Sequence, residues 1–273
     1  MTVRIEKQKN VWTIIHSRPE ARNAMDPTSA DALYEAFIEF ENTQDASVAV
    51  FWGEGGAFCA GWDLKYASSL KGSSPLASLN IPENRNAFAD GSDIPRGPMG
   101  PSRLELSKPV IGAISGPAVA GGMELALWCD FRVMEKSSYL GVYCRRWGIP
   151  LLDGGTVRLP SIVGKGRALE IILTGRKVES HECLNIGLCE YVVEDGESRK
   201  KAEEIAKIIA KFPQECVRAD RNSTMKQSNL SVKEGLLYEW NNSMDNKILS
   251  KEGIKGAERF SKGHGRHGDF EDI

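Results

Sequence analysis

The chain has 273 residues, 26% of them charged, and a formal net charge of −2. That length allows one large domain, or one domain with a smaller appendage, and either can bury a sizeable core. The balanced charge, with no basic block interleaved with aromatics, gives no bias toward nucleic acid or acidic lipid as a partner.

Residues 1–16, MTVRIEKQKNVWTIIH, alternate as a charged strand and lack the apolar core of a signal peptide or the acid-poor character of a transit peptide. No apolar run is long enough to span a bilayer. Six cysteines, Cys59, Cys129, Cys144, Cys183, Cys189 and Cys216, form no CxxC pair and lie mostly in apolar stretches, the usage of reduced thiols rather than of disulfides or zinc. The expectation is a cytoplasmic protein with no metal site and no visible organelle targeting.

Strand and helix periodicities alternate along the chain, which predicts an α/β fold of repeated units. Val11–His16 is a strand ended by SRPEARNAMD. Asp26 and Pro27 start a helix running to about Glu41, because an acid at the N-cap and proline at the first helical position suit a helix start. Val48–Trp52 and Val110–Ser115 are short apolar runs ending at glycine turns, the pattern of buried strands. Between them Tyr66–Leu106 is rich in Ser, Pro, Gly and Asn, without periodicity, and predicts a functional lid or a mobile segment. Composition shifts near residue 197, after which Ser198–Phe212 is an amphipathic helix and Ser231–Phe260 predicts further helix. GEGGAF follows a strand but lacks the spacing of a dinucleotide fingerprint.

Two strand-to-glycine-to-helix junctions carry the chemistry, FWGEGGAFCAGWDLK at 51–65 and AISGPAVAGGMELALWCD at 113–130. Each can present backbone N–H groups at a helix start, and two such groups facing one another make an oxyanion hole. Taken singly, the glycines need do no more than close tight turns.

GGAFCAGWDLK, KPVIGAISGPAVAGGMELALWCDFRV and GIPLLDGGTVRLPSIVGKGRALEIILTGRKVESHECLNIGLCEYVV together resemble the enoyl-CoA hydratase/isomerase (crotonase) family, over most of the chain. The resemblance implies a crotonase-like spiral of ββα units over residues 1–197 and a C-terminal helical trimerisation region over 198–273, assembled as trimers or dimers of trimers. It implies an acyl-CoA thioester as substrate, with coenzyme A entering as part of it and no other cofactor. The thioester carbonyl then accepts from the backbone N–H groups of Trp62 and Gly121, with Ala60, Asp63, Leu64 and Lys65 along the substrate path. Ala21 and Arg22, in the RPEARNAM turn, match the segment approaching the adenine and phosphates, although a turn arginine is also commonly just solvated. Phe260 and Lys262 match positions that lie against the nucleotide of a neighbouring subunit.

Glu124 matches the family's acid/base glutamate. Apolar neighbours raise a carboxylate's pKa and make it a proton carrier near neutrality; the plain alternative is a glutamate paired with a lysine or arginine. The second glutamate of the hydratases is replaced by Cys144. That thiol is either lowered in pKa by Arg145 and Arg146 or simply part of a wall. Asp153 stands where those hydratases usually carry glycine or alanine, either as a displaced second acid or as the cap of a helix beginning near Gly155. Trp62, Tyr143 and Trp147 are candidates for a bulky acyl wall, and His264 and His267 are expected to be exposed rather than metal ligands.

The leading expectation is a 2-enoyl-CoA hydratase. The alternatives are an enoyl-CoA isomerase using Glu124 alone, or a non-catalytic CoA-thioester-binding or RNA-binding member of the fold. A lysine-rich stripe suited to RNA is lacking, and a nucleophilic hydrolase lacks GxSxG.

Overall fold

The computed structural model describes residues 2–70, 76–82, 94–245 and 247–268. Strands β1 (Val3–Gln8) and β2 (Val11–His16) form an antiparallel hairpin. Helix α1 (Pro27–Asn42) starts as its sequence predicts: Asp26 Oδ1 accepts from Ser29 N–H at 2.8 Å, with Pro27 next in line. At its other end the buried Lys108 donates from Nζ to the Phe40 and Thr43 carbonyls at 2.8 and 2.6 Å. A cation is stabilising there, because the terminal carbonyls lack helical partners and carry the negative end of the dipole.

The chain continues through β3 (Val48–Gly53), α2 (Leu64–Ser68), β4 (Val110–Ile114), β5 (Pro117–Val119), α3 (Gly121–Trp128), β6 (Phe131–Glu135) and β7 (Tyr139–Gly141). Then come α4 (Gly155–Val163), α5 (Lys165–Thr174), β8 (Lys177–Glu179), α6 (Ser180–Asn185), β9 (Tyr191–Val193) and α7 (Ser198–Lys211). Helices α8 (Gln214–Lys226), α9 (Val232–Asp245) and α10 (Ile254–Ser261) follow. One sheet has the order β1-β2-β3-β4-β6-β9, parallel apart from the first hairpin, and a smaller one has the order β5-β7-β8. Consecutive strands therefore alternate between sheets: β4 lies in the large one and β5 in the small, then β6 in the large and β7 in the small. That alternation with intervening helices is the spiral of ββα units.

The strands read as apolar runs because both faces of the large sheet are covered. On one face Trp12, Ile14, Ala49 and Phe51 join the main core with Leu33, Phe37 and Phe40 of α1. On the other, Val11, Val48, Val50, Ile111, Ala113 and Val133 meet Ala202 and Ala206 of α7. The change of composition at residue 197 is thus not a change of packing, since α7 is a covering layer of the sheet. Beyond it, α9 exposes Val232, Leu236, Trp240 and Met244 at four-residue spacing, one apolar stripe along the helix.

The expected lid over 66–106 falls partly outside the described residues, at 71–75 and 83–93. Of the rest, Leu64–Ser68 begins a short helix, and Pro101–Arg103 forms a 3-10 turn leading into β4. No helix among the described residues is long and apolar enough to cross a membrane.

Candidate active site

Both junctions meet at one place. Met25 N–H donates to the Gly61 carbonyl at 2.7 Å and Asp63 N–H donates to the Met25 carbonyl at 2.8 Å. In that parallel bridge the flanking residues make the bonds, and Trp62 keeps its own N–H on the opposite side. Across from it, Gly121 opens α3, where the first N–H groups have no helical acceptor. Among the described residues no protein acceptor takes the N–H of either Trp62 or Gly121.

The two segments touch at Gly61. With φ at +93°, a Cβ there would sit 2.8 Å from Ala120 Cβ and 3.2 Å from the Gly121 nitrogen. Ala120 itself holds φ 54° and ψ −126°, a region that costs an alanine energy and persists where surrounding packing imposes it. Strain and close approach therefore converge on the peptide that aims Gly121 N–H. A cleft of about 640 Å³, its open mouth included, lies beside it and is lined by residues that include Ala60, Trp62, Leu64, Gly121, Glu124, Cys144 and Asp153. Tyr143 and Trp147 supply aromatic wall.

Glu124 lies in the first turn of α3 and is only 3% exposed. Its Oε1 accepts from the backbone N–H of Asp153 at 2.9 Å and of Gly155 at 2.8 Å. The ion pair allowed by the sequence is thus replaced by backbone donors from the start of α4. Burial pushes the Glu124 carboxyl up to about 7, the charge of Asp153 adds to the rise, and the backbone donors oppose it. A carboxyl poised there exchanges protons in either direction near neutral pH.

Cys144 is buried in the 3-10 turn Tyr143–Trp147. Burial and then the neighbouring Glu124 raise its thiol further than Arg145 lowers it. Of the two readings the sequence left open for Cys144, the activated thiolate is therefore the one set aside, and the residue is a neutral part of the cavity wall. The capping role for Asp153 is set aside as well. Gly154, at φ 96°, occupies the N-cap of α4 and has no side chain with which to cap it; the Gly155 N–H is taken by Glu124 instead. Asp153 Oδ1 instead accepts from Met99 N–H at 3.0 Å and from the Ser102 hydroxyl. Its carboxyl, too, is raised, first by burial, against the pull of Ser102, Met99, Arg103 and Arg158.

Asp63 and Lys65 do not line the cavity. Asp63 Oδ1 caps α2, accepting from Lys65 N–H at 3.0 Å and Tyr66 N–H at 3.1 Å, while Oδ2 meets Arg18 at 3.1 Å. Ala21 and Arg22 end a 3-10 turn, and the Arg22 carbonyl accepts from Ala60 N–H at 3.0 Å, which ties that turn to the cavity rim. Phe260 and Lys262 are exposed at the end of α10, away from this cavity, with Arg266 over the Phe260 ring at 5.4 Å. His264 and His267 are in the tail beyond, and no group of three or more metal-binding side chains occurs among the described residues.

Sequence patterns missed several residues here. Asn23 is fully buried and braces the rim: its amide donates to the Glu54 and Ala57 carbonyls at 2.8 and 2.6 Å, and its Oδ1 accepts from Arg18 N–H at 2.6 Å. Met99, Ser102 and Arg158 were also missed. No periodicity marks 97–103, and Arg158 lies on a helix whose buried side could be known only from its neighbours.

The model of the enoyl-CoA hydratase/isomerase family matches residues 6–91 and 102–266. The chain belongs to this family. Within it, YngF of Bacillus subtilis, named for enoyl-CoA hydratase/isomerase, is 32% identical over 259 residues, 94% of this chain and 93% of its own length. The carnitinyl-CoA dehydratase of Salmonella typhi is 32% identical over 229 residues, covering 84% of this chain and 82% of that protein. The crystal structure of enoyl-CoA hydratase from Bacillus anthracis superposes with a TM-score of 0.81 at 29% identity and 96% coverage of both chains. The spiral described above is therefore the crotonase fold of this enzyme family.

Proposed function

We propose that this member of the enoyl-CoA hydratase/isomerase family adds water reversibly to a 2-enoyl-CoA, with Glu124 as its single acid/base group. The observation that carries the reading is one buried carboxyl, raised to about 7, beside two backbone N–H groups that have no acceptor among the described residues. Glu124 carboxylate takes a proton from water as the water oxygen bonds to the β carbon. The double-bond electron pair shifts toward the thioester, and the enolate oxygen accepts from Trp62 and Gly121 N–H. Protonated Glu124 then returns a proton to the α carbon, regenerating the carboxylate. Preorganised donors act on charge that forms only in the transition state, so each is worth roughly a hundred- to a thousandfold in rate.

Double-bond isomerisation is the second reading, favoured by Cys144: with a neutral thiol in place of a second carboxylate, shuttling one proton between two carbons makes the smaller demand. Coenzyme A enters within the substrate, its nucleotide end near Ala21 and Arg22 and its pantetheine near Lys65, with Phe260 and Lys262 against the nucleotide of a neighbouring copy. A homotrimer or homohexamer covering the apolar stripe of α9 fits that arrangement, and sedimentation of the purified chain reads it.

The test offers crotonyl-CoA and a 3-enoyl-CoA separately, with products followed by mass spectrometry beside Glu124→Gln. A gain of water with crotonyl-CoA, lost in the variant, supports hydration. A migrated double bond at unchanged mass moves the assignment to isomerase. Neither reaction, with thioester still bound, points to another acyl group or to a binding protein.

A further inference from the structure

Asp153 makes two sets of contacts in opposite directions. Its backbone N–H donates to Glu124 Oε1 at 2.9 Å. Its carboxylate faces the other way, accepting from Met99 N–H at 3.0 Å and from the Ser102 hydroxyl, both at Oδ1. Arg158, one turn into α4, repeats the link: Nη1 donates to the Asp153 carbonyl at 2.8 Å and Nη2 to the Ser102 carbonyl at 2.7 Å. The packing leaves no slack, since a Cβ at Gly97 would overlap Ser102 Oγ and approach Asp153 Oδ1 to 2.7 Å. The held segment bears directly on the oxyanion donor: Met99 is 1% exposed, and its Sδ lies 2.5 Å from where a Cβ on Gly121 would be.

We propose that Asp153 is a positioning residue and not a second acid: its N–H holds Glu124 while its carboxylate clamps residues 97–103 as the wall over Gly121. One residue thereby keeps the proton carrier and the oxyanion donor in register. The inference deepens the acyl-CoA reading above and rests on it for its kinetic arm alone.

The charged and titratable groups facing Asp153 are Glu124 from α3, Arg158 from α4, Arg103 from the clamped segment and Cys59 from the first junction. Asp153→Asn keeps an oxygen for Met99 and Ser102 and removes the charge. Asp153→Ala removes both.

Hydrogen exchange by mass spectrometry on the full chain tests the clamp without any substrate. A peptide spanning 97–104 is expected to exchange alike in wild type and Asp153→Asn, and about tenfold or more faster in Asp153→Ala, with α1 unchanged as the internal reference. Ser102→Ala, which removes one strap, is expected to give a smaller rise and stands in if Asp153→Ala loosens α1 as well. Unchanged exchange in Ser102→Ala and Asp153→Ala, or equal acceleration in Asp153→Asn and Asp153→Ala, overturns the clamp.

With crotonyl-CoA, Asp153→Asn is expected to keep kcat within about threefold and to move the acid limb of the pH profile lower, because an anion beside Glu124 is gone. Asp153→Ala is expected to raise KM about tenfold or more. A thousandfold loss of kcat in Asp153→Asn, with exchange unchanged, makes Asp153 a proton carrier and overturns the proposal. If wild type converts no thioester, the hydratase reading fails while the exchange result still decides the clamp.

Discussion

The two glycine junctions are built alike and treat their carboxylates in opposite ways. At the first, Asp63 lies next to the proposed donor Trp62, caps α2 and meets Arg18. Burial alone would raise its carboxyl, but the donors of Tyr66, Arg18 and Lys65 together hold it below the usual carboxylate range. At the second, Glu124 follows the proposed donor Gly121 by three residues, is buried with no ion-pair contact among the described residues and is raised to about 7. The pair teaches that a backbone donor and an acid can be supplied by one local motif, while the partner waiting in space decides whether that acid moves protons or only holds structure.

The largest expected difference is in turnover. Glu124→Gln should lower kcat by roughly a hundred- to ten-thousandfold, the range for a general acid/base, whereas Asp63→Asn should change it little; steady-state assays with whichever test thioester the wild type converts compare them. Next comes the contact joining the junctions. Gly61→Ala should cost about a hundredfold in kcat, because its Cβ must displace the Ala120–Gly121 peptide from its aim. Gly56→Ala, also at positive φ but in open space, is the control.

Stability against pH separates the carboxylates further. A raised pKa means that the folded state holds its proton more tightly than the unfolded chain, so Glu124 costs stability as pH rises from about 4.5 to about 7. Glu124→Gln should therefore gain on wild type by ~3 kcal/mol between pH 5 and pH 8 in urea denaturation. For Asp63 the sign is reversed, with its contribution present above its unfolded pKa and lost as pH falls through the lower folded one. The smallest effect is the cap itself: Asp63→Ala should destabilise by about 1 kcal/mol near neutral pH, read as a lower urea midpoint.

How much of this was legible in sequence depends on how local each cause is. Asp26 and Pro27 start α1 by forces acting within one turn, and the helix begins there. The paired glycine junctions carry their backbone geometry in their own residues, and the family resemblance named Glu124. For Asp153 the sequence left a second acid and a helix cap both open, because its actual partners, Met99 N–H and the Ser102 hydroxyl, arrive from a stretch with no periodicity and about fifty residues away in sequence. The change at residue 197 was legible as composition, yet the partners of Ala202 and Ala206 are strands scattered from Val11 to Val133, so packing across it was not.

Under the proposed mechanism Trp62 offers its peptide nitrogen to the thioester oxygen, while its side chain packs at the cavity wall. Those two duties answer to different parts of the residue, and only one is touched when a codon changes. Selection can therefore re-cut the acyl pocket at this position, trading the indole for any shape a new chain demands, while the oxyanion contact passes unchanged from variant to variant. Position 62 is where this scaffold can alter its diet without relearning its trade.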